Sequence, residues 1–537
     1  MGSELEDIGL SILSEIVGSQ GWLNEEANEL LIGKMASGGR NRPHPWSTRY
    51  DYICWSGLTD RTFNARFLPA SPYPPTDAVG TKRPPLEDLV KLYAPSDAGQ
   101  RLCPKSTCLF PAFAQYLTDG FIRTQTSNIP AQEDRRRTTS NHEIDQSPLY
   151  GRNEAQTDAL RLKSEAAGKK GRLKTQPIHG EDFSPFLYGA DGKVKPEFAK
   201  LDLPLGIDNP WVKKETLFAV GGDRVNATPQ VAMINTLFLR EHNRLAGLLE
   251  AAKPAWDDER VFQTARNISI VMFIKIVIEE YINHINTSVF KFRALPEAAW
   301  RAQWNRPNWM TAEFSLLYRW HSLVPEHMVW DGVTVHGMDQ LSDNTLLLQL
   351  GLAGAFVNVS ANNATELGMG NTASFLQRIE GMAIQQGRTN NIASFNDYRE
   401  AMGKDRVESF EDLVGTSKNA KENARRKAVA AKLKALYGSV ENVEFYIGLF
   451  AEARERNGPL PSLLLAMVAM DAFSQALTNP LLSEHVWGDK DNRRLAFTDI
   501  GLAAIEQTRT LRDILVRNSQ GVGSRFVGMT RKDFKRE

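Results

Sequence analysis

The 537-residue sequence predicts a mainly α protein, built as a single large helical domain with little sheet. From Thr228 onward, apolar residues recur at the three- and four-residue spacing of amphipathic helices over long stretches. Val, Ile and Thr do not alternate with polar residues as they would in strands, and no internal repeat is present. These patterns favour helices packed on helices around one core.

The helices follow in chain order from the apolar spacing. They are predicted over residues 109–123, 229–251, 257–285, 311–322, 342–357, 371–386, 405–437, 441–454, 460–477 and 498–517. Residues 36–110 are rich in proline and glycine, which predicts irregular chain wrapped around the core. Residues 131–176 are polar and charged, and their basic run at 169–172 predicts an exposed loop instead of an anion site.

Residues 4–35 have helical spacing and predict two amphipathic helices joined near residues 18–21. We therefore divide the chain into an N-terminal helical segment, 1–40, and a main domain, 41–537. Such helices can pack on the body or lie on a membrane surface. The acidic character of the segment favours packing.

Composition excludes several classes of protein. The chain has 64 basic and 64 acidic residues, so neither a nucleic acid nor an anionic membrane is a general partner. Its three cysteines (Cys54, Cys103 and Cys108) allow one disulfide at most, which favours a reducing compartment. The N-terminus lacks signal-peptide character, and the longest apolar stretch, 268–278, is interrupted by Lys275 and too short to span a bilayer. A cytoplasmic or peripheral membrane protein is expected.

The segment 317–321 has the sequence LYRWH, and its Tyr318 and His321 are the first candidate functional pair. On a helix, residues three apart share a face. A histidine can bind a metal through one ring nitrogen, and the tyrosine would then lie beside whatever the metal carries. An isolated YxxH is more typical of two residues that fill a core, so the other motifs of the chain have to decide between the two interpretations.

Several further segments carry a resemblance. NTLFLREHNRL at 235–245, IVIEEY at 276–281, LYRWH at 317–321, FNDYR at 395–399 and SFEDLVG at 409–415 occur in the order found in animal-type haem peroxidases. They are most similar to cyclooxygenases, fatty-acid α-dioxygenases and linoleate diol synthases, over roughly residues 48–517.

The resemblance implies a mainly helical haem b enzyme. His321 matches the proximal iron ligand, Trp320 lies beside it in the cofactor-binding motif, and Tyr318 matches the tyrosine that becomes a radical and abstracts hydrogen from a fatty acid. His242, although part of the REHNR motif, does not match a ligand and is expected to be structural.

The distal side departs from the family. FAQYLTDGFIRT at 113–124 resembles the distal helix, with Gln115 at the distal glutamine and Asp119 where the family has its distal histidine. No histidine lies between His44 and His142, so a shift of register cannot restore one. Residues 222–224 resemble the segment with the distal arginine, and Arg224 is expected to face Asp119 across the haem.

Asp119 therefore has three interpretations: a working distal base, an impaired site, or a structural polar residue. An unperturbed aspartate is less basic than histidine by about 2.6 pKa units, or roughly 3.5 kcal/mol. A neighbouring arginine would lower its pKa by about 1–3 units further, whereas burial would raise it. Peroxide activation is expected to be slower than with histidine unless burial dominates.

The segment 141–151 resembles the family's calcium loop, with Asp145 and Ser147 as possible oxygen ligands of Ca²⁺. Gly120 occupies the position of an aspartate in the calcium-binding members, so one carboxylate is missing.

The expected function is that of a fatty-acid dioxygenase in which a Tyr318 radical abstracts hydrogen before O₂ adds, with a hydroperoxide as oxidant. Alternatives are a peroxidase or monooxygenase for a small non-lipid substrate, and a non-catalytic haem-binding protein. An apolar substrate channel is expected near residues 471–517, where Arg509 and Arg512 are candidate carboxylate anchors or solvated arginines.

Overall fold

The structure is a computed structural model that describes residues 21–38, 46–71, 83–125, 133–288 and 290–534. The first of the two predicted N-terminal helices lies outside these ranges. The second is the helix Gly21–Ala36, which packs on the helix Ser462–Leu477 and places Ile32 and Ala36 in the core. Packing on the body is therefore what this helix does.

Helices dominate the described chain, and the predicted fold class is confirmed. The α-helices are Gly21–Ala36, Trp55–Thr59, Leu86–Val90, Leu109–Asp119, Ser147–Tyr150, Glu154–Leu160, Pro229–Ala252, Asp258–Ile276, Asn283–Ile285, Glu297–Trp300, Ala312–Leu317, Thr345–Ala361, Gln377–Thr389, Phe395–Ala401, Phe410–Val414, Ala420–Tyr437, Phe445–Ala451, Ser462–Leu477, Lys490–Glu506 and Leu511–Asn518. Short 3₁₀ turns occupy Pro196–Phe198, Lys214–Thr216, Val225–Ala227, His321–Leu323, Gly337–Gln340, Ser374–Leu376, Val440–Asn442 and Pro480–Leu482, and π segments occupy Val277–Ile282 and Glu484–Gly488.

Strands in the described residues form small antiparallel pairs. The pairs are Trp46–Ser47 with Ala65–Arg66, Leu102–Thr107 with Asn363–Thr365, Thr124–Gln125 with Asp134–Thr138, Gln176–Ile178 with Glu181–Phe183, and His327–Trp330 with Val333–His336. The strand Asp134–Thr138 lies in the polar and charged stretch 131–176, for which the sequence predicted no strand.

Two long helices form the centre of the core. Pro229–Ala252 begins with proline in its first turn, where the missing N–H costs nothing, and Asp258–Ile276 begins with the Asp257 side chain accepting from the N–H of Arg260. The two helices pack on each other, and Pro229–Ala252 also packs on Leu109–Asp119. The end of that third helix carries Asp119, so the core positions the distal candidate.

One helix among the described residues, Asp258–Ile285 with its π segment, is long and apolar enough to cross a membrane. Its extent agrees with the helix predicted over residues 257–285, and Lys275 lies within it. Of its most apolar window, 78% is buried within the protein, which is the position of a core helix.

Several predicted helices are shorter than the apolar pattern indicated. The stretch 405–437 divides into Phe410–Val414 and Ala420–Tyr437, because Gly415 takes a φ of 62° that ends the first helix. The stretch 498–517 divides into Lys490–Glu506, which is kinked at Thr498, and Leu511–Asn518, which begins at a Thr510–Asp513 capping box. The apolar spacing continues through such a boundary because the helices before and after it both bury apolar side chains.

Candidate active site

The distal helix, Leu109–Asp119, ends at a buried carboxylate. Its apolar residues face the core, and Gln115 and Asp119, four apart, lie on the same side. Asp119 is 1% exposed, whereas Gln115 is half-buried and its side chain makes no hydrogen bond to the described part of the chain. Gln115 is therefore available to a ligand beside Asp119.

Glycine lets a second segment reach Asp119. A Cβ on Gly222 would lie 2.1 Å from Asp119 Oδ2, and one on Gly221 would lie 2.2 Å from the carbonyl oxygen of Ser147. The chain approaches so closely that the backbone N–H of Arg224 lies 3.4 Å from Asp119 Oδ2 and its Nη1 lies 3.5 Å from Oδ1. Arg224 thus contacts Asp119 directly, instead of facing it across the width of a haem.

Arg224 belongs to a network of charged side chains that also includes Asp223, Arg123 and Asp202. Asp223 Oδ1 accepts from Arg224 Nη1 at 3.1 Å, while its Oδ2 lies 3.2 Å from Arg123 Nη2. Arg123 is buried and also donates to Asp202 at 2.8 Å. Sequence reasoning assigned no role to Asp223, Arg123 or Asp202, because their proximity depends on the fold.

Burial dominates the electrostatics of Asp119. It raises the pKa of this carboxyl to about 7, and the neighbouring Asp223 adds to the rise. Arg123 and Arg224 act in the opposite direction without cancelling it. Burial therefore raises the pKa of Asp119 by more than the arginines lower it. The resulting value is close to the ordinary pKa of a histidine.

The predicted helix over Tyr318 and His321 is wrong. The helix Ala312–Leu317, capped by the Thr311 hydroxyl, ends before Tyr318, and His321 begins a separate 3₁₀ turn. The ring of Tyr318 stacks on that of Trp320 at 5.0 Å, an i, i+2 contact that a helix cannot make. Pro325 also forces Val324 into an extended conformation, so a helix cannot continue through this segment. The pair is brought together by a turn instead of a helical face.

His321 faces a buried carboxylate. Its Nδ1 lies 3.2 Å from Glu380 Oε2, a contact whose angle falls short of a hydrogen bond. Glu380 is 1% exposed, on the helix Gln377–Thr389, and accepts from the hydroxyls of Tyr446 at 2.5 Å and Thr372 at 2.8 Å. Nδ1 of His321 therefore faces Glu380, whereas Nε2 of His321 makes no hydrogen bond to the described residues. Nothing in the local sequence indicated Glu380.

Tyr318 lies in an aromatic cluster. Its ring packs on Phe314 at 4.7 Å and on Trp320, whose indole in turn stacks on Tyr281 at 6.3 Å. Burial raises the pKa of Tyr318, and the side chain of Tyr281 opposes part of that rise. The phenol is therefore protonated at neutral pH. Tyr281 belongs to the π segment Val277–Ile282, and π segments are frequent at functional sites.

Arg319, which lies between Tyr318 and Trp320 in the sequence, experiences the charge of Arg224. Its Nη2 donates to Gln386 at 3.1 Å and its Nε to the carbonyl of Ser315 at 3.0 Å. Burial lowers the pKa of Arg319 to about 10, and the positive charge of Arg224 lowers it further. Arg224 is thus within electrostatic range of the segment that carries Tyr318 and His321.

His242 is a structural residue, as the sequence predicted. Both ring nitrogens have protein partners, the Tyr150 hydroxyl on Nδ1 and the carbonyl of Gly171 on Nε2, each at 2.9 Å. Burial lowers the pKa of His242 to about 4, so the ring is neutral.

The proposed calcium ligands lie close to the distal helix. The backbone N–H of Ser147 donates to Asp145 Oδ1 at 2.8 Å, and the Ser147 hydroxyl donates to the carbonyl of Gly120 at 3.1 Å. Among the described residues, no group of three or more His, Cys, Asp or Glu side chains is arranged to hold a metal. Calcium binding stays a prediction.

A cavity of about 730 Å³ is lined by both apolar and polar side chains, and Tyr318, His321 and Asp119 are not among them. It is lined by Ile282, which follows Tyr281 directly, and by Phe473 and Lys404. Arg509 and Arg512 do not line it: Arg509 is exposed and Arg512 donates to the carbonyl of Gly523. This exposure agrees with the alternative that they are solvated arginines, and a role as carboxylate anchors stays a prediction.

A helical scaffold that turns a histidine's Nδ1 toward a buried carboxylate and holds a buried acid–arginine pair nearby suits a haem oxidoreductase. Residues 111–527 match the family described as animal haem peroxidase, and the chain belongs to that family. The resemblance seen in the sequence is confirmed. The available Nε2 of His321 fits the axial ligation that the family implies.

The relatives are oxygenases and peroxidases. The chain is 30% identical over 456 residues to prostaglandin G/H synthase 2 of Bos taurus, covering 83% of this chain and 69% of that protein. It is 30% identical over 457 residues to prostaglandin G/H synthase 1 of Rattus norvegicus, covering 83% and 70%.

Two solved structures share the fold. Peroxidase A from Dictyostelium discoideum superposes with a TM-score of 0.68 at 19% identity, covering 88% of this chain and 96% of that one. Oryza sativa fatty acid alpha-dioxygenase superposes with a TM-score of 0.65 at 16% identity, covering 87% and 82%. The protein is a haem-dependent oxidoreductase with a mainly helical peroxidase fold.

Proposed function

We propose that this protein is a fatty-acid dioxygenase that works through a radical on Tyr318. The observation that carries the proposal is the position of this tyrosine. Its buried phenol interacts with Tyr281, and the next residue, Ile282, lines the 730 Å³ cavity. Packing from Tyr318 through Trp320 to Tyr281 supports the proposal that the tyrosine acts on a substrate chain bound in this cavity.

Haem b is the proposed cofactor, and Nε2 of His321 would hold its iron. When bound, haem supplies the one-electron oxidising equivalent from a hydroperoxide. The chain's part is to hold His321 and to exclude competing ligands. Trp320, 5% exposed and stacked on Tyr318, keeps the turn at residues 318–321 rigid.

Asp119 is the proposed distal base. A carboxyl with a pKa near 7 can take a proton from one peroxide oxygen and return it to the other, because both of its forms are populated at neutral pH. Arg224, held against Asp119 and Asp223, supplies a fixed positive charge beside it, and Gln115 supplies an amide donor on the same side of the helix.

Tyr318 then carries the radical chemistry. The phenol loses one electron and its proton, and the neighbouring Tyr281 hydroxyl interacts with the phenolic oxygen of Tyr318. The tyrosyl radical takes a hydrogen atom from a substrate C–H bond, and O₂ adds to the carbon radical. The peroxyl radical takes the hydrogen atom back from Tyr318, so that substrate and O₂ combine into a hydroperoxide.

The substrate is proposed to be a fatty acid lying in the 730 Å³ cavity. Lys404, which lines this cavity, donates to the Ser462 hydroxyl at 2.7 Å and has its ammonium positioned at the wall. It is the proposed partner of the carboxylate in place of Arg509 and Arg512. Two of the relatives named above, a prostaglandin synthase and a fatty acid alpha-dioxygenase, support this substrate class.

Product analysis tests the function. Haem-loaded protein is incubated with a panel of saturated and unsaturated fatty acids, with phenols and hydroperoxide in parallel, and products are identified by mass spectrometry. Fatty-acid hydroperoxides that contain both atoms of ¹⁸O₂ support the dioxygenase. Oxidised phenols alone would favour the peroxidase alternative, and no product from either set would favour a non-catalytic haem protein. A Soret band that persists in His321→Ala would contradict the ligand assignment.

Calcium and membrane contact are two further parts of the proposal. A Ca²⁺ ion at Asp145 and Ser147 would have to displace the hydrogen bonds that these residues make within the chain. Because a bound ion stabilises the folded state, a rise in Tm on adding Ca²⁺ would establish its binding.

The side chains of Tyr52 and Trp55 are 66% and 78% exposed. They support a peripheral contact with a membrane surface over a purely cytoplasmic location. Flotation with lipid vesicles tests that contact.

A further inference from the structure

The environment of Glu380 is unusual for a buried carboxylate. It is 1% exposed, and no lysine or arginine forms an ion pair with it among the described residues. Its contacts are the Thr372 hydroxyl at 2.8 Å on Oε1, the Tyr446 hydroxyl at 2.5 Å on Oε2, and Nδ1 of His321 at 3.2 Å on Oε2. A buried carboxylate is costly unless donors satisfy it, so the site is built to retain it.

We infer that Glu380 is the positioning residue of the proximal histidine: it accepts the Nδ1 proton of His321 and makes the imidazole a more strongly donating axial ligand. The inference rests on the proposed function, since it requires that His321 bind haem iron through Nε2. Metal-binding histidines commonly donate their other ring N–H to a carboxylate, which fixes the tautomer and raises the basicity of the ligand.

The surrounding contacts support this role over a purely structural one. The Thr372 hydroxyl donates to Oε1 and the Tyr446 hydroxyl donates to Oε2, so both carboxylate oxygens are held beside the imidazole. The 3₁₀ turn His321–Leu323 is held separately, because Thr365 donates to the carbonyl of Ser322 at 2.5 Å. The turn therefore does not depend on Glu380, which contacts it only through the imidazole of His321.

The chemical consequence complements the distal side. A carboxylate hydrogen-bonded to the axial histidine increases electron donation to the iron and favours the oxidised haem. The distal base in this chain is a carboxyl instead of the family's histidine. Stronger donation from the proximal side assists cleavage of a peroxide bond, so Glu380 and Asp119 are expected to act on the same step from opposite sides.

Glu313 offers a matched control. It is also buried, at 0% exposed, and accepts from a tyrosine hydroxyl, that of Tyr398, at 2.5 Å, with the backbone N–H of Phe67 as a second donor at 2.8 Å. No histidine contact is recorded for it within the described chain. Glu313→Gln therefore replaces a buried carboxyl that has a similar donor set without touching His321.

The test uses the haem-loaded full chain and compares Glu380→Gln with Glu313→Gln. The measurements are the Fe(III)/Fe(II) midpoint potential and the iron–histidine stretching frequency of the reduced protein in resonance Raman spectra. Glu380→Gln is expected to raise the potential, to shift the stretch to lower frequency and to slow hydroperoxide reduction by about 10-fold. Glu313→Gln is expected to shift neither spectroscopic value.

The inference is overturned if Glu380→Gln keeps the parental midpoint potential and stretching frequency, or if Glu313→Gln shifts both equally. The proposed function stands in either case.

If Glu380→Gln does not fold, Tyr446→Phe is the variant that tests the inference. Removing the competing donor on Oε2 strengthens the bond from His321, so the potential should fall and the stretch should rise; unchanged values in this variant likewise overturn the inference. A parent protein that binds no haem through His321 instead overturns the proposed function.

Discussion

Arg224 approaches both oxygens of Asp119, with its backbone N–H 3.4 Å from Oδ2 and its guanidinium 3.5 Å from Oδ1. At these distances the interaction is weak for a buried ion pair, and burial prevails in setting the pKa of the carboxyl. In water at neutral pH, an aspartic acid would be fully ionised. In this protein, Asp119 populates both its protonated and its ionised form at neutral pH.

The first prediction concerns pH. Because the pKa of Asp119 is raised to about 7 and the ionised form is the base, hydroperoxide reduction should rise with pH through about 7. Asp119→Asn should lower the rate by about 100-fold or more and remove this limb of the profile. Asp119→His should retain a titrating limb. The measurement is the rate of peroxide consumption from pH 5 to 9, and an unaltered profile in Asp119→Asn would exclude Asp119 as the base.

The second prediction concerns Gly222. A Cβ there would lie 2.1 Å from Asp119 Oδ2, so Gly222→Ala must displace the carboxylate or the backbone of Arg224. The expected cost is about 1–3 kcal/mol of unfolding free energy, with a loss of peroxide reduction comparable to that of Asp119→Asn. Urea denaturation and peroxide kinetics measure both.

Gly33→Ala is the control for that experiment. Gly33 lies in the helix Gly21–Ala36, and a Cβ there would meet nothing within 4 Å. This substitution should leave activity unchanged and increase stability by up to about 1 kcal/mol. Equal behaviour of the two glycine variants would contradict the close approach at Asp119.

The third prediction concerns the radical. Tyr318→Phe removes the phenol but keeps the ring that stacks on Trp320, so haem binding and its absorption spectrum should persist while oxygen uptake with a fatty acid is abolished. Tyr116→Phe, at another buried tyrosine, whose hydroxyl donates to Asn235, is the control and should retain oxygen uptake. An oxygen electrode measures the difference. Normal uptake by Tyr318→Phe would exclude the radical role.

The fourth prediction concerns the carboxylate anchor. Lys404→Met should raise KM for a fatty acid by about 10-fold or more but leave KM for its methyl ester unchanged, because the ester carries no charge for Lys404 to bind. Arg509→Met, at an exposed arginine away from the cavity, should change neither value. If Arg509→Met has the effect and Lys404→Met has none, the substrate enters elsewhere.

The helical class and the family were readable from the sequence because they depend on local patterns. Apolar spacing predicted the helices Pro229–Ala252 and Ser462–Leu477 to within two residues. The helix through Tyr318 was predicted wrongly, since stacking between Tyr318 and Trp320, a contact across a turn, outweighs helix propensity there.

The residues around the candidate ligands could not be predicted in the same way. Glu380 lies 59 positions beyond His321, and Tyr446 reaches the same carboxylate from a third element. Asp202 and Arg123 are likewise distant in sequence but joined at 2.8 Å. No periodicity or spacing links such pairs, because their contact depends on how separate helices pack.

The sequence by itself determined the class of fold, the family, the histidine and tyrosine to examine, and the replacement of a distal histidine by Asp119. Only the tertiary structure decided how Asp119 titrates, since its pKa reflects burial at the end of the helix Leu109–Asp119 and the charges of Asp223, Arg123 and Arg224. The identity of a side chain is local, but its electrostatic environment is made by every element that packs around it.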